Sequence, residues 1–313
     1  MRFVEDALKI AKNSSVRFEN ISQWELYVRS VLQSMGYNNP NVNALVETRQ
    51  LDYRILAIES HPDDIALAAG GTLSLMKELG CEIRCVTMSL CDDIELARKR
   101  IQATITEGTI LGHSPYVGIT PAKELLNLVG GLDSKSDSAL EELYEKHRVS
   151  PDTRLLDGCA LNMQKAVYAH LTEFEPDLVL APGLADNTAD HVAVSSAVRD
   201  AYRRPVNSWE YVGPEGMSQF LPNQLVPIST KHFARKMFAL QQHQDAYYVS
   251  RPAPDGRRSY FNLAEMLTNA FYFGRQAMRD SRYDAPLAEA FNARRAVGFP
   301  LIKRVADLKT HGR

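Results

Sequence analysis

Two short stretches hold the residues whose types and spacing could do chemistry. In the first, His61-Pro62-Asp63-Asp64 follows directly on the apolar run Ile55-Leu56-Ala57-Ile58. In the second, Asp186-Asn187-Thr188-Ala189-Asp190-His191 lies just beyond Leu178-Val179-Leu180. Imidazole and carboxylate bind divalent cations together, and a cation left with an open position acidifies a water. A histidine and a carboxylate on such an ion, with one further carboxylate free, is the minimum for making hydroxide near neutral pH. Asp also favours helix starts, so a capping turn is the plainer reading of either stretch alone. That reading weakens because the same order of strand, polar cluster and helix occurs twice. In an open α/β sheet two such strand ends can face each other across a crevice.

The elements that must position these groups follow from apolar periodicity. Tyr53 to Glu59 reads as a buried strand, Ile65 to Leu79 as a helix closed by Gly80, and Glu82 to Leu90 as a second strand. The crossover is long enough for parallel pairing, which argues a βαβ unit. Asp93 to Leu111 reads as a helix ended by Gly112, Ala160 to Phe174 as another, and Asp177 to Ala181 as a third strand. A helix then runs from the second polar stretch through Val198. Strands are expected at Trp209 to Val212 and Leu225 to Ser229, and helices from Thr230 and over Leu263 to Met278. The pattern weakens from His113 to Gly158, where a long loop or lid with a short helix at Glu141 to Arg148 is expected. The alternation predicts an α/β fold with a mostly parallel sheet and helices on both faces. Residues 1–50 read as a helical extension carrying Trp24-Tyr27-Val28-Val31-Leu32 at helical spacing, and 51–313 as the catalytic domain. Gly70-Gly71 lies inside a helix rather than at a strand-to-helix turn, so a dinucleotide site is not expected.

Composition narrows the class. The 313 residues are 45% hydrophobic and 24% charged, with a formal net charge of −2, which gives no reason to expect nucleic acid or an anionic membrane as partner. No apolar run approaches the roughly 20 residues that span a bilayer. The start, Met-Arg-Phe-Val-Glu-Asp-Ala, carries acids where a signal peptide has its apolar core, so a cytoplasmic location is expected. Cys81, Cys85, Cys91 and Cys159 have no metal-site spacing and are expected to be reduced thiols.

His61-Pro62-Asp63-Asp64 with Gly70-Gly71-Thr72-Leu73 resembles the PIG-L/LmbE family of zinc-dependent N-deacetylases. The resemblance extends over about residues 53 to 297. It includes Lys236…Ala239-Leu240…His243, similar to the family's late helix, and Ala288-Glu289-Ala290-Phe291 near the end. It implies a Rossmann-like sheet, one zinc per chain on His61, Asp64 and His191, and Asp63 as general base. Asp190 is then expected to orient a ligand or catalytic side chain. Arg100, about a dozen residues before Leu111-Gly112, matches a substrate-contacting arginine, though a solvated helix face would explain it as well. Two positions depart from the family. Ile65 stands where Glu is usual, and Thr188 where the family has a histidine that stabilises the oxyanion or protonates the leaving amine. A threonine hydroxyl can donate a hydrogen bond but is no imidazolium acid. The acid role would then move, for instance to His243, or the reaction would differ.

The expected activity is removal of an acetyl group from an N-acetylglucosaminyl-type sugar or glycosylated metabolite, with natural-product biosynthesis as one setting. Another metal-dependent amide hydrolysis, a non-hydrolytic step on the same scaffold, and a non-catalytic sugar-binding protein stay open beside it. So does homo-oligomerisation.

Overall fold

A computed structural model of the chain describes residues 17–34, 36–37, 51–90, 94–128, 156–186, 188–202, 206–213, 220–243, 263–280 and 286–295. In chain order the elements are α1 (Ile21–Ser34), β1 (Arg54–Glu59), α2 (Asp64–Glu78), β2 (Glu82–Thr87), α3 (Ile94–Leu111), β3 (Ser114–Val117), β4 (Thr120–Pro121) and α4 (Ala122–Leu128). They continue with α5 (Leu156–Phe174), β5 (Leu178–Pro182), α6 (Ala189–Ala201), β6 (Asn207–Tyr211), β7 (Gln224–Ile228), α7 (Thr230–His243), α8 (Leu263–Asp280) and β8 (Leu287–Arg295).

The strands form one sheet in the order β4-β3-β2-β1-β5-β6-β8-β7. From β3 to β6 all pairings are parallel, with Ile55 beside Ile83 on one side and Leu178 on the other. The outer pairings, β3 with β4, β6 with β8 and β8 with β7, are antiparallel. β1 and β5 are neighbours, and the chain leaves them toward opposite edges of the sheet. Their carboxyl ends therefore flank the topological switch point, where a crevice opens in such sheets.

Side-chain alternation along the strands builds a core on each face. Ile55, Ala57, Ile83, Cys85, Leu178 and Leu180 pack with α1, α2, α7 and α8. Leu56, Ile58, Val86, Val179 and Ala181 pack with α5 and α6 on the other side. Because β1 buries both faces, it reads as a continuous apolar run. Cys81 and Cys85 are free thiols buried in the first of these cores.

The described part of the N-terminal extension, α1, belongs to that same core through Trp24, Val28, Val31 and Leu32. It is fastened to α7 by Gln241, whose Oε1 accepts from Trp24 Nε1 (3.0 Å) and from the Phe18 amide (3.1 Å). Residues 1–16 of that extension lie outside the described residues, as does the short helix expected at Glu141 to Arg148.

The stretch read as a long loop after His113 opens instead with regular structure: β3, β4 and α4. Pro115, Gly118 and Pro121 break the apolar alternation that would have marked the strands. β8 also escaped assignment. Its buried face carries Glu289, 3% exposed, between Leu287 and Phe291. Glu289 accepts from the Gly71 and Thr72 amides of α2 (3.1 and 2.7 Å) and meets Lys236 Nζ at 2.7 Å. The Ala-Glu-Ala-Phe segment thus staples α2 and α7 to β8, one strand in from the sheet edge, with its carboxylate paired in the core.

Candidate metal and acid-base site

At the carboxyl end of β1 the chain turns sharply into α2. Asp63 caps the helix in the left-handed region, φ 106°. A non-glycine residue there carries backbone strain of about 1–3 kcal/mol, although Asp and Asn bear it better than most. The turn folds Asp64 back so that its Oδ2 accepts the His61 amide at 2.8 Å. That oxygen faces His61 Nδ1 at 3.6 Å and His191 Nε2 at 3.1 Å. His191 comes from the first turn of α6, beyond the end of β5.

The donor atoms of His61, Asp64 and His191 lie within 4.8 Å of one another, the one such group of three among the described residues. A tetrahedral ion with bonds of ~2.0–2.1 Å sets its ligand atoms about 3.3 Å apart, so the trio fits a divalent metal with little adjustment. The far side of each ring supports the fit. His61 Nε2 meets Asp190 Oδ2 at 2.8 Å, and His191 Nδ1 lies 3.0 Å from Asp186 Oδ2. The Asp190 bond fixes the His61 tautomer that turns Nδ1 toward a metal, and Asp186 stands at ion-pair distance behind His191, off the hydrogen-bond line. Asp190, a neighbour of His191 in sequence, thus serves the histidine of the other motif.

The electrostatics fit the same picture. Burial opposes charge on His191, but Asp186 and Asp64 outweigh it and raise its pKa to about 10. The ring, metal-free, holds a proton where a cation would sit. Burial likewise opposes charge on Asp64, yet His191 and His61 hold its carboxyl far below the usual range. Asp63 goes the other way: burial and neighbouring Asp64 raise it to about 7, against the pull of His243, Arg100 and His61.

Arg100, which a solvated helix face would also have explained, is buried at 5% exposure on α3. Its positive charge bears on Asp63. His243 is buried at 3% exposure at the end of α7, its Nε2 on Glu107 Oε2. Thr188 caps α6 without using its side chain, and its amide donates to Asp186 Oδ1 at 2.9 Å. It is half-buried in the same loop as His191.

Sequence reasoning passed over four polar groups. Asp186 stands in the second motif but was given no role. Glu59, 0% exposed, accepts from the Ile65 amide (3.0 Å) and Thr87 Oγ1 (2.6 Å), and burial followed by Glu107 and Asp64 raises its pKa well above normal. With this carboxyl beneath the first turn of α2, the side chain of Ile65 is free to fill the core. Glu107 and His113 form a buried pair, Nε2 to Oε1 2.9 Å. An acid ending the apolar strand β1 was the visible signal for Glu59; for Glu107 and His113 no local signal exists.

Compared with known proteins, residues 56–202 match the model of the PIG-L family, described as GlcNAc-PI de-N-acetylase. A 1D-myo-inositol 2-acetamido-2-deoxy-alpha-D-glucopyranoside deacetylase of Mycobacterium sp. (strain JLS) is 25% identical over 203 residues. That match takes in 61% of this chain and 63% of the relative, so the chain spans just under two thirds of the mycobacterial protein's length. Among solved structures, N,N'-diacetylchitobiose deacetylase from Pyrococcus horikoshii superposes with a TM-score of 0.51 at 17% identity, over 88% of this chain and 94% of the other. GalB, the 4-carboxy-2-hydroxymuconate hydratase of Pseudomonas putida, gives 0.52 at 15% identity, over 78% and 97%. At these identities the likeness is one of fold.

Proposed function

We infer, from the match of residues 56–202 to the PIG-L family model together with the site, that this chain is a zinc-dependent N-deacetylase acting on an N-acetylglucosaminyl-type sugar or glycoside. The carrying observation is the meeting of His61, Asp64 and His191 from two strand ends, each histidine backed by its own carboxylate, Asp190 or Asp186.

His61 Nδ1, Asp64 Oδ2 and His191 Nε2 would hold the metal. Bound there, it would acidify a water and polarise an amide carbonyl. Asp63 is the base. It lies beside the trio, is not one of its ligands, and a carboxylate whose pKa approaches neutrality is matched to taking a proton from the attacking water. A cation at the trio also favours the ionised form that a base requires. Asp190 and Asp186 keep the two rings aimed. Arg100 brings a buried positive charge to the same side as Asp63, suited to a sugar hydroxyl or the acyl oxygen.

Thr188 motivates a second reading, a metal-assisted reaction that needs no protonated leaving amine, such as hydration of a small acid. Product analysis separates the two. Metal-loaded protein is incubated with N-acetylglucosaminyl-inositol and with N,N'-diacetylchitobiose, and mass spectrometry follows loss of an acetyl group. Release of acetate that disappears, together with bound metal, in His61→Ala and His191→Ala supports deacetylation. Full metal occupancy in both variants overturns the assignment of the ligands.

A further inference from the structure

Asp63 holds the N-cap position of α2, yet its carboxylate makes no hydrogen bond to that helix. An Asp at a helix start ordinarily has extended backbone and turns a side-chain oxygen onto the amide two or three residues on. Here φ 106° and ψ −25° place the residue in the left-handed region instead. The amide two residues on, that of Ile65, bonds to a different carboxyl. Its acceptor is Glu59 Oε2 at 3.0 Å, from the last residue of β1.

Burial makes that bond matter. Ile65 and Glu59 are both 0% exposed, so the amide depends on the protein for an acceptor. The N-cap carboxylate is the ordinary acceptor, and Glu59 stands in for it. Glu59 is held in place from β2: Thr87 Oγ1 donates to its Oε1 at 2.6 Å, and its carbonyl accepts from the Met88 amide at 2.9 Å. Oε2 accepts from Ile65 in either protonation state, because the Thr87 hydroxyl can give a proton to the other oxygen or take one from it.

We propose that Glu59 is the positioning residue of the base: by capping α2 from the strand below, it releases the Asp63 carboxylate from the helix and leaves it to the crevice. The catalytic part of this rests on the deacetylase reading, in which Asp63 takes the proton from water. The left-handed turn aims a capping side chain away from its own helix, and the buried glutamate supplies the bond that the turn gives up.

The test uses Glu59→Met, which removes the acceptor at similar volume, and Glu59→Gln, which keeps an oxygen for the Ile65 amide and an NH₂ for Thr87 Oγ1. In a crystal structure of Glu59→Met, a carboxylate oxygen of Asp63 should lie within hydrogen-bond distance of the Ile65 amide. A side-chain cap is worth a factor of about 2 to 30 in equilibrium. With metal loaded and N,N'-diacetylchitobiose as probe, kcat of Glu59→Met should therefore fall about tenfold while KM and metal content hold. Glu59→Gln should keep kcat within about twofold of wild type. Added to Asp63→Asn, Glu59→Met should cost less than about twofold more, because the group it acts through is already gone. Asp63 staying off the Ile65 amide in Glu59→Met would overturn the proposal and leave deacetylation intact. So would an equal kcat loss from Glu59→Met in wild type and in Asp63→Asn, which would mark a purely structural role. If Glu59→Met does not fold, Asp63→Gly decides, since glycine accepts φ 106° without strain. The melting temperature of metal-free Asp63→Gly should hold or rise; a fall of about 2–4 °C, the size of one lost cap, would show Asp63 capping α2 and overturn the proposal. A wild type that releases no acetate refutes the deacetylase reading, whereas the structure of Glu59→Met still decides which carboxylate caps α2.

Discussion

The carboxylate behind His191 makes a quantitative claim about metal binding. The ring lies between Asp64 Oδ2 at 3.1 Å and Asp186 Oδ2 at 3.0 Å, and the pair lift it from 6.5 to about 10 against burial. That rise corresponds to ~5 kcal/mol, at about 1.4 kcal/mol for each pH unit. The two oxygens are at nearly equal distances, so Asp186→Asn should forfeit roughly half, about 2.4 kcal/mol, and bring the ring to about 8. Metal must displace the His191 proton, so apparent affinity climbs tenfold per pH unit wherever the ring is protonated in the metal-free protein. Asp63, at about 7, titrates below a window of pH 7.5 to 9 and so does not blur the count. Across that window wild-type affinity should rise about 30-fold, and that of Asp186→Asn less than about tenfold, because its ring sheds the proton within the window. Any weakening of the ligand itself cancels, since each protein is compared with itself. The assay is competition with a chelating indicator of known pH dependence, on metal-free protein. Equal rises in both proteins, or a wild-type rise below about threefold, would show that Asp186 does not set the basicity of His191. Asp186 also accepts from the Thr188 and Gly213 amides, so a melting curve must accompany the variant.

Three further outcomes follow from the geometry. Asp63→Asn should fold and bind metal like wild type, because Asn tolerates the left-handed φ as Asp does, yet lose about 10²–10⁴ in kcat; metal-loaded variant with normal turnover would move the base elsewhere. Thr188→Val should cost about tenfold or less in kcat/KM on an N-acetyl sugar, the size of one neutral hydrogen bond, and a loss near a thousandfold would give the hydroxyl a central role. Gly71→Ala should destabilise despite the ~1 kcal/mol that Ala gains in a helix, because its Cβ would clash with Ile228 Cδ1 and come 3.2 Å from Glu289 Oε1. Overpacking costs about 1–3 kcal/mol, so a net loss near 1 kcal/mol is expected in denaturant unfolding, and a stabilised variant would contradict the close packing of α2 on β7 and β8.

How far the chain could be read in advance depended on how local each signal was. β1, β2 and β5 announce themselves as apolar runs because both faces are covered, and their helices carry stop signals such as Gly80, whose φ is 93°. The meeting of His61, Asp64 and His191 was legible because each motif abuts a strand end, and strand ends at a switch point converge. β8 was not, because the side chain at the middle of its buried face is a charge, and only the distant Lys236 and the α2 amides explain it. The Glu107–His243 contact links residues 136 apart, and nothing in the neighbourhood of either shows the other. Asp190 shows the intermediate case: a role behind a histidine was foreseeable, but which histidine depended on how two loops cross.

Charge explains why these groups occur together. Glu59, Asp63 and Asp64 crowd the end of β1, and two of the three respond as buried acids do when a like charge is near, by holding their protons. Asp64 alone stays firmly ionised, because two imidazoles face it. The site therefore concentrates negative charge on the one oxygen that both histidines share, and leaves Asp63 balanced between its two forms. A cation at the trio favours ionised Asp63 and takes the place of the proton on His191, so one binding event would arm the base and free the ligand. It does nothing of the kind for the leaving nitrogen. On the deacetylase reading, the proton for that atom has to come from a group other than the Thr188 hydroxyl.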